Sequence, residues 1–207
     1  MAAGREPTNA ELEVLNFVEN GSAQTPSTGH NLHVDTGGIL SLINTSGVKS
    51  AVGGDLSAVV MQQTATAGTN GGSMATVETW ITRNLNASQG DTALISLSSG
   101  AFTPVAGTYI VFGWATGYQI IRNVLRLHNT TQDTVAINGT SEYFGWGHPV
   151  TAKAFVMGVI TVNGTDAFEL QHMSTDDYGT NSQGAAVNDV LDGANEVYAS
   201  VLLVKIG

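Results

Sequence analysis

From residue 75 onward, apolar and polar positions alternate in short runs separated by turn residues, the period-two pattern of half-buried strands. The run 75–86 places Val77, Thr79 and Ile81 on one side and Glu78, Trp80 and Thr82 on the other. Further runs cover 92–100, 107–117, 119–131, 134–145, 151–164, 166–175 and 196–207. None has sustained helical periodicity, and β-branched residues dominate them. About eight strands joined by short turns predict an all-β fold, a jelly-roll β-sandwich. In Ala154–Ile160 and in 201–207 both faces of the strand are apolar. That suits a strand whose one face meets its own core and whose other face meets a neighbouring copy, or a strand buried on both faces within one sandwich. Asn163-Gly164, between two apolar runs, predicts a hairpin; Asn138-Gly139, inside a run, predicts a turn or a bulge. Residues 177–195 form the longest segment without strand character, and loops of that length are commonly functional, mobile or packed on a neighbour.

The first part of the chain reads differently. Thr8 and Glu11 are spaced as a capping box behind Pro7. Leu12, Leu15, Phe17 and Val18, with Val14, give one or two helical turns an apolar side, which Gly21 would end. The same residues suit an extended arm laid on a partner, and in either form they are the candidate anchoring residues. Residues 21–36 read as a polar linker, 37–48 as a short strand or hairpin leg, and 49–59 as ambiguous. Residues 61–73 have a flexible, low-charge composition. The organisation predicted is an N-terminal anchoring arm with a short β segment and linker, 1–73, followed by a jelly-roll head, 74–207.

Charge narrows the choice of partners. Seven Lys and Arg against seventeen Asp and Glu give a formal net charge of −10. Phosphate binding needs clustered cations, so nucleic acid is not an expected partner. Charged residues make up 12% of the chain, about half the usual share. A surface this sparsely charged points to faces covered by other subunits. The chain has no cysteine, which excludes disulfides, thiol nucleophiles and thiolate metal sites. No stretch approaches the roughly 18 apolar residues of a membrane span, and the first residues lack the pattern of a signal peptide.

A search for catalytic spacings yields none: no nucleophile elbow, phosphate-binding loop, zinc-protease motif or calcium-binding EF-hand. No enzyme activity, cofactor or metal is expected. His30 and His33 with Asp35, and the pair Asp176 and Asp177, are the nearest approach to metal-ligand clusters; a polar linker and a solvated strand end account for them. Arg122 and Arg126, four apart on a strand, share a face with Val124 between them. They are candidates for structural ion pairs with Glu142 and Glu169, which would fix strand register. Trp80 and Phe168 are read as core. Among aromatic and loop residues, Tyr118, Trp146, His148 and Tyr178 are the candidate ligand-binding positions, the segment 146–149 combining an aromatic, an imidazole and a rigid turn on a loop.

Several motifs then occur in order: Gly107-Thr108-Tyr109, Arg126-Leu127-His128-Asn129, Gly139-Thr140-Ser141-Glu142-Tyr143, Phe168-Glu169-Leu170-Gln171-His172 and the closing run from Glu196-Val197-Tyr198. Together they resemble the C-terminal trimeric β-domains of bacteriophage tail fibres and related virion proteins, over residues 75–207. Such domains are jelly rolls similar to tumour-necrosis-factor and complement-type trimers. The resemblance implies a non-enzymatic homotrimer on the virion exterior. The expected protein is a short tail fibre or tail-tip protein, anchored to phage tail or capsid proteins through residues 1–73 and projecting its head toward a host-surface glycan or protein. The alternative is a trimeric capsid decoration or head-fibre protein that stabilises the shell. The absence of a repeated shaft departs from long fibres. The motifs read as framework, so no receptor-binding residue follows from them.

Overall fold

The computed structural model describes residues 30–34, 40–46, 49–51, 57–144, 150–177, 179–187 and 194–207. The chain divides into two compact units, 1–55 and 56–207. In the first, β1 (His30–Val34), β2 (Leu40–Asn44) and β3 (Lys49–Ala51) form an antiparallel three-stranded sheet in that order. Strand β1 therefore lies inside the segment that composition marks as linker, and β2 falls in the predicted hairpin leg.

The second unit is the predicted jelly-roll sandwich. One sheet has five strands: β12 (Thr151–Val162), β9 (Gly107–Tyr118), β14 (Glu196–Lys205), β4 (Ala58–Ala65) and β6 (Ala87–Gly90), in that order. The other runs β11 (Thr134–Tyr143), β10 (Arg122–Asn129), β13 (Phe168–Ser174), β8 (Ala101–Pro104) and β7 (Ile95–Ser98), with β5 (Ile81–Thr82) pairing to β13 off this path. Eight of these strands, β4 and β8 to β14, carry the sandwich, and β5, β6 and β7 extend it. From β8 onward the chain crosses between sheets at every connection except β10 to β11, which, like β7 to β8 before it, is a hairpin within one sheet.

Alternation decides which side chains build the core. Along β9, Tyr109, Val111 and Ala115 are buried; along β12, Ala154, Val156 and Ile160; along β14, Val201 and Leu203. They meet Leu125, Leu127, Phe168 and Leu170 of the second sheet and Phe102 of β8. Phe102 and Phe168 stack with centroids 6.0 Å apart. Each of the Val, Leu, Ile and Phe side chains among them contributes about 1.5–3 kcal/mol by leaving water. Phe168 is core as expected, whereas Trp80 is only half-buried and lies under Arg126.

Two local expectations change and a third is resolved. The stretch 61–73 is not linker throughout: Met61–Ala65 belong to β4, paired along its length with β14. Asn163-Gly164 makes a turn, with Gly164 at φ 88, and the Asn163 side chain accepts from the Thr165 and Asp166 amides. It joins β12 to β13 across the sandwich and closes no hairpin, since the two strands lie in different sheets. At Asn138-Gly139 the bulge is realised. The register with β10 shifts there, Val124 facing Ser141 and Arg126 facing Asn138. Gly139 is needed because any Cβ would run into the Leu125 and Phe155 carbonyl oxygens.

Candidate functional site

The outer face of the five-stranded sheet is apolar. Residues opposite one another in an antiparallel ladder project from the same side. Three rows follow from the register: Val159, Ile110, Val204 and Ala58; Met157, Phe112, Leu202 and Val60; Phe155, Trp114, Ser200 and Gln62. Their chain neighbours Tyr109, Val111 and Val156 fill the core, so alternation itself turns these residues outward. Met157 is 74% and Val159 60% exposed, with Ile110 and Phe112 also open to solvent. The rings of Phe112 and Phe155 lie 6.0 Å apart. The patch has polar ends. At one, the Lys153 ammonium sits 4.2 Å from the Trp114 ring centre; at the other, the Thr108 and Thr161 hydroxyls are 3.2 Å apart. Contiguous exposed apolar surface rimmed by polar groups marks a site of association.

The outer face of the six-stranded sheet has the opposite character. Arg122 and Arg126 do share it with Val124, as their spacing predicts. Arg126 lies 4.0 Å above the Trp80 ring and donates from Nε and Nη2 to Gln171 Oε1 at 2.9 and 2.7 Å. Gln171 in turn donates to Glu169 Oε2 at 2.7 Å, and the Thr82 hydroxyl donates to the same oxygen at 2.6 Å. Arg122 stacks over Tyr143 at 5.5 Å. The predicted ion pairs are therefore not formed: among the described residues neither arginine reaches a carboxylate. The register explains it. Gln171 stands directly opposite Arg126 and takes its donors, Glu169 stands two residues further along, and Glu142 faces the inward residue Asn123. A groove of about 310 Å³ opens on this face over Val124 and Met173, between Arg122, Tyr143, Glu78 and Glu142.

The other candidate residues are scattered. Tyr118 ends β9, half-buried, its amide donating to the Ser182 carbonyl, and it does not line the groove. Trp146, His148 and Tyr178, and the anchoring candidates Leu12, Leu15, Phe17 and Val18, lie outside the described residues, as do Asp35 and the side chains of His30 and His33. Asp176 and Asp177 serve the backbone and nearby hydroxyls. Asp176 Oδ2 accepts from the Ile121 amide and the Thr175 hydroxyl. Asp177 accepts from Ser73, Ser182 and the Met74 amide. Partial burial raises the Asp177 pKa, but those hydrogen bonds outweigh it and leave the carboxyl below its ordinary range. The 177–195 loop is in part packed: Gly71 donates to Gly184, and Gln183 to Gly72.

The most unusual polar group was not singled out from sequence. Arg83 is fully buried. Its Nε donates to Gln63 Oε1 at 2.7 Å, Nη1 to the Thr116 carbonyl at 3.1 Å, and Nη2 to the Gln183 and Tyr198 carbonyls at 2.9 and 3.0 Å. Burial lowers its pKa to about 9. Nη1 also lies 3.3 Å from Nδ1 of His172. Because a guanidinium only donates, Nδ1 is the accepting nitrogen, and Nε2–H of His172 then donates to Asn123 Oδ1 at 3.0 Å. Burial, and then the Arg83 charge, hold the His172 pKa well below its ordinary value. This network clamps β4, β9, β13, β14 and the 183 loop together, a structural role.

No known protein family matches the sequence, and no curated relative does. Among solved structures the chain is similar to the globular domain of zebrafish complement 1qA protein, at 17% identity and a TM-score of 0.43, over 73% of this chain and 96% of that one. It is also similar to Eiger TNF from S. frugiperda, at 12% identity and TM-score 0.45, over 73% and 93%. Murine APRIL matches at 8% identity and TM-score 0.45, over 73% of this chain and all of that one.

Proposed function

We propose that this chain is a structural, non-enzymatic virion protein of a bacteriophage, a short tail fibre or tail-tip protein. Its head, which takes in strand β4, is a homotrimer sealed by the apolar face of the five-stranded sheet, and the unit before it, residues 1–55, docks on the particle. The observation that carries the self-association is the set of Ile110, Phe112, Met157 and Val159, turned to solvent across two paired strands. Three copies meeting edge to face give a closed ring, and the threefold number and phage setting rest on the sequence motifs of residues 107–145. The opposite sheet, with its arginines and exposed tyrosine, then faces outward from the particle, where an attachment surface belongs.

The test is localisation. Purified virions decorated with gold-labelled antibody against the head domain are expected to carry label at the tail tip in electron micrographs. Label over the capsid supports the decoration reading in its place. Absence of the chain from virions contradicts both.

A further inference from the structure

We propose that the groove on the six-stranded sheet binds a neutral saccharide, with Tyr143 as the stacking platform. The inference deepens the attachment role proposed above and rests on it for its setting. Tyr143 is 66% exposed at the end of β11, a large aromatic surface that the fold leaves uncovered. Arg122, its register partner on β10, lies over the ring at 5.5 Å and holds a guanidinium beside it. Between them and β13 the floor is apolar, Val124 paired with Met173. Glu78 supplies the acidic wall; Glu142 lines the groove from a strand position whose ladder partner, Asn123, points inward. Glu78 is held at φ 57, a left-handed conformation that a residue with a side chain adopts at a cost. Its amide donates to the Ser174 carbonyl at 2.7 Å, which fixes it at the groove edge. Of the four non-glycine residues with positive φ among the described residues, Glu78 alone lines this groove.

The chemistry selects the ligand class. At about 310 Å³ the groove is at the lower end of the roughly 300–1,000 Å³ range of small-ligand sites. A pyranose ring offers an apolar C–H face to an aromatic ring and hydroxyls at its rim that both donate and accept. Arg122 supplies donors for them, and the Glu78 carboxylate supplies acceptors. An anionic ligand would meet the Glu78 carboxylate beside the one guanidinium, on a chain of net charge −10. A cationic ligand would meet Arg122 across the mouth. An uncharged, hydroxyl-rich ligand satisfies every group present. The groove and the apolar face belong to different sheets.

The experiment uses the full-length protein on a printed array of neutral oligosaccharides, anionic oligosaccharides and unglycosylated peptides. The strongest neutral ligand is then titrated calorimetrically against wild type, Tyr143→Ala and Glu78→Gln. The expected result is retention on neutral glycans, weakened at least tenfold by Tyr143→Ala and several-fold by Glu78→Gln, with unchanged melting temperature for the exposed Tyr143 variant. Retention only on anionic glycans or peptides, no retention at all, or a neutral ligand indifferent to Tyr143→Ala overturns the proposal. Light scattering on the same samples reports the assembly separately, so a silent groove on an assembled protein refutes the saccharide and leaves the seam standing.

Discussion

The two sheets of the sandwich share a core and an alternating pattern, yet their outer faces could hardly differ more. On the five-stranded sheet the outward positions are Ile110, Phe112, Met157, Val159 and Leu202; on the six-stranded sheet they are Arg122, Arg126, Gln171 and Tyr143. Alternation settles which residues leave the core and says nothing of what they meet next. An outward row of large apolar residues marks a surface suited to association with another protein surface. An outward row of arginines over aromatic rings, tied to glutamine and glutamate, is content in water and free to bind small polar ligands.

The sharpest way to break this comparison is to place one charge on each face. Phe112→Asp forfeits about 2 kcal/mol of burial at every copy's contact and strands a carboxylate at the seam. It is expected to abolish self-association in sedimentation velocity while the far-ultraviolet circular dichroism stays that of a β protein. Val124→Asp, on the opposite face, is expected to leave the sedimentation coefficient unchanged.

Next in size is the network that binds the two sheets. Arg83→Met takes the guanidinium from Gln63 Oε1, His172 Nδ1 and the Thr116 carbonyl, at about 1–3 kcal/mol for each orphaned group, while the Thr116 hydroxyl still serves the Gln183 and Tyr198 carbonyls and removing a buried charge gives partial relief. A net loss of about 3 kcal/mol in chemical denaturation is expected. Loss of less than about 1 kcal/mol would show that the clamp contributes little.

A smaller effect is tied to pH. His172 resists protonation in the fold, whereas in the unfolded chain it takes a proton near pH 6.5. Acid therefore favours the unfolded state. Stability is lost as pH falls below about 6.5, at up to about 1.4 kcal/mol per pH unit for this one group, and is regained above it. Arg83 and Asn123 face the imidazole, and a glutamine can accept from the first and donate to the second. His172→Gln is thus expected to melt with a shallower dependence on pH between 5 and 7 than wild type. Equal slopes would remove His172 from the account.

The smallest effect belongs to the polar outer face. Arg126→Ala gives up the stack on Trp80 and two hydrogen bonds to Gln171, about 1 kcal/mol in thermal unfolding, with the assembled mass retained. A change in assembled mass would mean that this face, too, is covered.

The contrast also shows what a single sequence makes legible. Strands β9 and β12 stand out because their outward and inward positions are both apolar and β-rich, and they pair over their full length. Strand β4 was hidden because Gln63, an inward residue, is polar in the service of Arg83, so Met61–Ala65 do not alternate in hydropathy. Arg83 shares parity with Val77 and Ile81 in the run 75–86, but Val77 is exposed and Ile81 half-buried, so that parity does not mark a buried side. Its partners, however, come from positions 63, 116, 172, 183 and 198, and no local pattern could bring them together. The turn chemistry of Asn163-Gly164 was local and readable; which sheets it joins was not. The groove escaped notice for the same reason: Glu78, Arg122, Tyr143 and Met173 converge only through the β11-β10-β13 order.

The central claim is that the five-stranded sheet's outer face is a seam between copies. Multi-angle light scattering of the full-length wild-type protein at micromolar concentration tests it most directly. The expected mass is three times the 21.5 kDa of one chain. A stable, folded species of 21.5 kDa that persists as concentration rises would contradict it.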